Sequence, residues 1–152
     1  MEIILKKVNP TDKNVRGLIN ELDTYNLSLY SEKHCTLESP ESLKENAYMV
    51  GAFVGSELIA IGGVKLIESY AEIKRMYVLK NYRRYGVAEK ILIALEEYVL
   101  KNSIDCICIE TGISHDLAIA FYKNKGYSEI SNFGEYPING ISVFFQKIIL
   151  KQ

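Results

Sequence analysis

Apolar residues recur along this chain with two periods. Glu2 to Val8 alternates enough to predict a first strand. After Pro10, with Thr11 or Asp12 available as a cap, Val15, Leu18, Ile19, Leu22 and Leu29 keep a helical spacing. Pro40-Glu41 opens a short second helix ending near Asn46. Tyr48 to Val54 and Leu58 to Ile67 flank the two-residue turn Gly55-Ser56, which predicts a hairpin. Gly62-Gly63 inside the second run predicts a bulge or a close approach by another segment or a ligand. A strand follows from about Tyr70 to Leu79. Next comes a helix from about Gly86 to Leu100, with Val87, Ile91, Leu92, Leu95, Tyr98 and Val99 on its apolar side. Ile104 to Thr111, built around the apolar stretch Cys106 to Ile109, reads as a buried strand. Ala118, Phe121 and Tyr122 mark one face of a shorter helix, which Gly126 is placed to end as a left-handed cap. The chain closes with a strand at Ser128 to Ser131, a loop with Pro137 and Gly140, and a strand from Ile141 to Leu150.

The order is β-α-α-β-β-β-α-β-α-β-β, which predicts an α/β (α+β) domain of three layers with a mixed sheet. No repeat or Pro/Gly-rich linker divides the 152 residues, so one domain over 1–152 is expected. Composition fits a soluble globular protein, 48% hydrophobic and 24% charged. A net charge of -1 argues against a whole-protein field that gathers nucleic acid or anionic membrane. The acid-before-base order around the first apolar run is wrong for a secretory signal, and no stretch is long enough to cross a bilayer. A cytoplasmic protein is the expectation. Cys35, Cys106 and Cys108 form no CxxC pair and read as core thiols, while His34 and His115 are too few to complete a metal site. Adjacent His34-Cys35 is a poor nucleophilic pair, since neighbouring side chains point apart.

The chemistry concentrates in Glu72-Ile-Lys-Arg-Met-Tyr-Val78-Leu-Lys-Asn-Tyr-Arg83-Arg-Tyr-Gly86-Val-Ala88. It reads as strand, turn and helix entry, with Arg83, Gly86 and Ala88 in the spacing R-x-x-G-x-A. The first turn of a helix presents N–H groups with no internal partner, and its dipole favours an anion. Gly86 lets a phosphate approach the backbone, and Arg83 and Arg84 add charge. A Rossmann G-x-G-x-x-G and a Walker G-x-x-x-x-G-K-[ST] are both absent, so the expected ligand is a phosphate or pyrophosphate of another kind.

This stretch resembles motif A of the GNAT N-acetyltransferases, Q/R-x-x-G-x-G/A, with the apolar strand residue five positions earlier supplied by Val78. Downstream, Ala118-Ile-Ala-Phe121-Tyr122-Lys-Asn-Lys-Gly126-Tyr127 is similar to the family's A-x-x-[LF]-Y-x-x-x-G-[FY] segment. The predicted element order also matches that family's fold. One departure is visible: His115 stands where many members carry an Asn that contacts the cofactor. The resemblance implies acetyl-CoA as cosubstrate and no metal. Its pyrophosphate would lie on the amides of Arg83, Arg84, Tyr85, Gly86, Val87, Ala88 and Glu89. Its pantetheine arm would run beside Met76, Tyr77 and Val78, with a backbone N–H near Met76 holding the thioester oxygen. Tyr122 would protonate the departing sulfur.

The acceptor implied is an amine, attacking directly in a ternary complex. A lysine-like amine has a pKa of about 10.4, so only about one in a thousand is free base at neutral pH and a base is needed. Glu72, six residues before Val78, is the candidate, and strand parity groups Glu72, Lys74, Met76 and Val78 on one face. A small-molecule amine is expected rather than a protein tail. Tyr25, Tyr30 and Tyr136 are candidates to line its site, with Glu21 and Glu135 attracting its charge. The basic cluster Lys74, Arg75, Lys80, Arg83 and Arg84, interleaved with tyrosines, is better explained by cofactor phosphates than by nucleic acid. The alternative reading is a catalytically silent acyl-CoA-binding module acting as sensor or partner subunit. Transfer of a longer acyl group would turn on the space near Gly62-Gly63 and Met76. A homodimer is a family-level expectation.

Overall fold

Among the described residues, seven strands form one mixed sheet. The computed structural model describes residues 1–29 and 46–150. The second helix expected from Pro40 lies outside the described residues, as do Tyr30, His34 and Cys35. The elements are β1 (Ile4–Lys7), α1 (Lys13–Leu29), β2 (Ala47–Val54), β3 (Glu57–Leu66), β4 (Ala71–Val78), α2 (Val87–Lys101), β5 (Cys106–Gly112), α3 (Asp116–Asn124), β6 (Ser128–Ile130) and β7 (Ser142–Ile148). The strand order is β1-β2-β3-β4-β5-β7-β6; β2 to β4 form an antiparallel meander, and β1 adds antiparallel to β2 at the edge. The crossover through α2 then sets β5 parallel to β4, and β7 lies between β5 and the edge strand β6. Among the described residues the predicted strands and helices occur in the predicted order, with an additional 3-10 turn at Lys80–Tyr82. Their ends shift by one to a few residues, as at β1, which is confined to the four residues that pair with β2.

Alternation along the strands sends apolar side chains to two cores. One holds Val64, Ala71, Ile73, Ile107, Ile109 and Phe145 against Val87, Ile91, Leu95 and Val99 of α2 and Tyr122 of α3. The other holds Met49, Leu58 and Ile61 against Val15, Leu18 and Ile19 of α1. Helix α1 therefore covers one face, and α2 with α3 the other.

The close approach expected at Gly62-Gly63 is present, and so is a bulge. Gly63 pairs with Lys74 but Ile61 pairs with Tyr77, so Arg75 and Met76 together oppose the single residue Gly62. Arg75 takes a left-handed φ of 59°. The extra residue reverses the alternation beyond it. Ala71, Ile73, Met76 and Val78 belong to the α2-side core, whereas Tyr77 packs on the α1 side. The expected grouping of Glu72, Lys74, Met76 and Val78 on one face is thus corrected: Met76 and Val78 lie opposite Glu72 and Lys74.

Gly62 is where β3 admits α2. A Cβ built there would collide with Ile91 and with the Met76 sulfur, and would crowd Leu95. Gly62→Ala is expected to lower unfolding free energy by about 1–3 kcal/mol through overpacking, measured by urea denaturation.

Candidate active site

Strands β4 and β5 pair for only three rungs, Ala71↔Ile107, Glu72↔Cys108 and Ile73↔Ile109. Beyond them β4 continues to Val78 and β5 to Gly112 without pairing to one another. The sheet thus opens into a fork whose arms carry main-chain groups able to bond an extended ligand. The bulge at Arg75-Met76 lies on the β4 arm, just past the last rung.

Past that arm, Leu79 bonds to β3, a single 3-10 turn spans Lys80–Tyr82, and α2 begins. The helix cap is Gly86, at a left-handed φ of 76° with no side-chain cap, and Arg84 also has positive φ, 71°. Left-handed residues alternating with others before a helix turn successive N–H groups toward one concavity, which suits a phosphate. Arg83 is partly committed to structure: its Nε donates to the Val78 carbonyl (2.9 Å) and its guanidinium lies over the Tyr77 ring, 5.7 Å from the centroid. Arg84 and Tyr85 are exposed, Val87 is buried and Ala88 half-buried. Glu89 turns its carboxylate to Lys125, the residue that caps the end of α3 (3.0 Å). The main chain of this turn, more than its side chains, is what could hold an acyl-CoA pyrophosphate.

The polar residues nearest the fork lie on the α1 face. Glu72 is 6% exposed, accepts a hydrogen bond from the Tyr136 hydroxyl, and has Lys74 Nζ at 3.6 Å. Glu110 lies on β5, one position past the last rung. Its carboxylate accepts from Ser142 Oγ (2.7 Å). Burial pushes its pKa above the ordinary range, against the opposing pull of Ser142 and Lys74. Sequence reasoning missed Glu110. The signal was present, since alternation through Cys106, Cys108 and Glu110 puts an acid at the end of a buried strand. An aromatic wall adjoins this cluster, with Tyr70, Tyr136 and Phe144 around Phe133 at centroid distances of 5.2 to 5.8 Å. Burial and then Glu72, Cys108 and Glu135 raise the Tyr70 pKa, which puts Glu135 in the same electrostatic neighbourhood. Cys108 is buried, and its thiol is pushed up to about 12, chiefly by burial, so it stays a protonated core thiol.

Tyr122 lies on the other face, on α3 in the α2-side core, 6% exposed, with its ring against Phe121 and Tyr127. Burial raises its pKa, so the phenol keeps its proton across the physiological range. His115 precedes α3, and its ring meets that of Tyr25 edge-on at 5.4 Å. Burial lowers its pKa and favours the neutral imidazole. Of the expected acceptor-site residues, Tyr136 reaches Glu72 and Tyr25 reaches His115, whereas Glu21 is an exposed residue of α1. The basic cluster is dispersed: Lys74 turns to Glu72, and Arg75 pairs with Asp23 of α1.

A family model described as the acetyltransferase (GNAT) family matches residues 15–127. An IAA acetyltransferase of Azospirillum brasilense is 29% identical over 154 residues, spanning 95% of this chain and 97% of that protein. A crystal structure from Klebsiella pneumoniae, provisionally assigned as an acyl-CoA N-acyltransferase, superposes with a TM-score of 0.84 at 27% identity, covering 97% of this chain and 98% of that one. The PaiA N-acetyltransferase of Thermoplasma acidophilum, solved in complex with coenzyme A, shares the fold (TM-score 0.76, 19% identity, 97% and 99% coverage).

The raised pKa of Glu110 has a consequence for stability. A carboxyl with a folded pKa above its unfolded value adds stability at low pH that is lost as pH rises through the folded pKa. Glu110→Gln keeps an acceptor for Ser142 and removes that dependence. The variant is expected to gain stability relative to the parent as pH rises from 4 to 7, as followed by urea denaturation at each pH.

Proposed function

Because the chain belongs to the acetyltransferase (GNAT) family and is an acetyl-CoA-dependent acyltransferase, we propose that its acceptor is the primary amine of a small molecule, acetylated by direct attack in a ternary complex. The observation that carries this reading is the fork between β4 and β5, opening beside the capless turn at Gly86. Its main-chain edges suit a pantetheine arm, and the turn suits a pyrophosphate. Acetyl-CoA supplies the acetyl group as a thioester, and the protein has to bind it, orient it and handle two protons.

Main-chain N–H groups at the Met76 bulge orient the thioester oxygen and stabilise the charge that gathers there. Tyr122 holds a proton on its hydroxyl for the sulfur, a role its buried, protonated state supports. Glu72 takes the proton of the amine, directly or through water, within the network that joins it to Tyr136 and Lys74. His115 and Val78 flank the arm of the cofactor. The acceptor approaches from the α1 face, where α1 lies on one side and the loop carrying Phe133 and Tyr136 on the other. That confinement supports a small molecule over a protein tail. Packing of Met76, Ile91 and Leu95 around Gly62 fills the space behind the bulge and supports acetyl over longer acyl groups.

Calorimetric titration with acetyl-CoA, comparing the parent with Gly86→Glu, tests the site. Binding by the parent and loss in the variant are expected. A folded parent that binds no acetyl-CoA would overturn the reading. With an acceptor found from an amine panel, Tyr122→Phe is expected to lower kcat by about 10²-fold while leaving acetyl-CoA affinity unchanged. Turnover kept at the parental rate would remove the acid role. Glu72→Gln is expected to depress turnover most near neutral pH, where the amine is least deprotonated, and unchanged pH–rate profiles would exclude it as base.

A further inference from the structure

Helix α1 touches the β4 arm of the fork and the turn that follows the β5 arm. Asp23 accepts a hydrogen bond and ion pair from Arg75, the bulge residue on the β4 arm. Two residues on, the Tyr25 ring stands edge-on against His115, just beyond the β5 arm, with centroids 5.4 Å apart and planes at 88°. The helix is itself fixed, because Val15, Leu18 and Ile19 are buried in the α1-side core. The Asp23–Arg75 pair is enclosed, with side chains 20% and 9% exposed, so solvent and salt screen it weakly. Arg75 also holds a φ of 59°, a region that long L side chains rarely adopt. The ion pair with Asp23 anchors the bulge from outside the strand, on an arm that no longer pairs with β5.

We infer that α1 is a brace across the fork. The Asp23–Arg75 pair fixes the bulge on one arm, the Tyr25–His115 contact fixes the other, and together they set the gap in which the thioester and the amine meet. Asp23, Arg75 and Tyr25 are therefore positioning residues. The geometry is independent of the proposed acetyl transfer to an amine, but the catalytic consequence rests on it. The turn at Gly86 lies outside the brace and keeps its hold on the pyrophosphate, so loss of the brace lowers turnover more than it weakens cofactor binding.

Asp23→Asn, Arg75→Asn (asparagine tolerates the left-handed region) and Tyr25→Ala test this in the full chain. Tyr25 is 49% exposed, so its replacement leaves both cores intact. Amide hydrogen exchange reads the arms directly. Exchange at residues 74–78 is expected to quicken by about tenfold or more in the first two variants, and at 110–115 in the third, with α2 and β2 unchanged. In the same variants kcat should fall about 10- to 100-fold, as for a misplaced reacting group. The KM for acetyl-CoA should rise by a smaller factor than kcat falls, and Asp23→Glu should restore most of the rate. Unchanged exchange in the arms overturns the inference, as does faster exchange throughout the sheet or an unchanged kcat despite loosened arms. If the parent binds acetyl-CoA but acetylates no amine, the proposed function fails, and the exchange comparison alone decides the brace: local loosening supports it, and no change overturns it.

Discussion

Main-chain N–H and C=O groups in the interior of a sheet are almost always paired, because an unpaired one costs as much as a lost hydrogen bond. In this protein β4 and β5 stop pairing after Ile73↔Ile109, in the middle of a seven-stranded sheet. That interruption organises what surrounds it. It leaves two polar edges facing one another, and it places Glu110 where a strand residue would otherwise be covered. It also gives the bulge at Arg75 and Met76 an open side on which to act. A continuous sheet with the same residues would have a core and no cleft.

Keeping such an opening requires that each side be held independently. The β4 side is held by the meander and by α2, which settles onto β3 at Gly62 because no side chain stands there. The β5 side is held by β7 over seven paired positions. It is tied back to α2 by a second network, in which Glu96 accepts from the Tyr127 hydroxyl at 2.8 Å and from Lys147 Nζ at 3.1 Å. Burial raises the Tyr127 pKa, and the adjoining Glu96 carboxylate adds to it, so the phenol remains a donor in that network. Helix α2 thus joins the two halves from one face while α1 reaches across the other.

Element type and order are legible in the sequence because two periods, 2 and 3.6, dominate it, and because Gly55, Gly86 and Gly126 punctuate it at turns and helix ends. The motif turn is legible for the same reason: its chemistry depends on main-chain geometry that glycine announces. What parity misplaces is everything downstream of one bulge. Gly62-Gly63 signals that a bulge exists but not which residue of the partner strand is extra, so Met76 and Val78 move to the opposite face. Contacts between elements distant in sequence carry no local signature. Asp23 and Arg75 are 52 residues apart, and Tyr136 and Glu72 are 64 apart. Arg83 looks like a free phosphate ligand until its Nε is seen bonded to Val78.

The three rungs between β4 and β5 also bear on how the chain assembles. The pairings β2–β3, β3–β4 and β6–β7 each join strands that are neighbours in sequence. The parallel join needs the whole α2 crossover to fold back first, so its loop-closure cost comes before any reward. The longest pairings, β2–β3, β3–β4 and β5–β7, therefore lie on either side of the seam. The seam divides the sheet into a four-stranded and a three-stranded part, joined in the sheet by three rungs and along the chain by the α2 crossover.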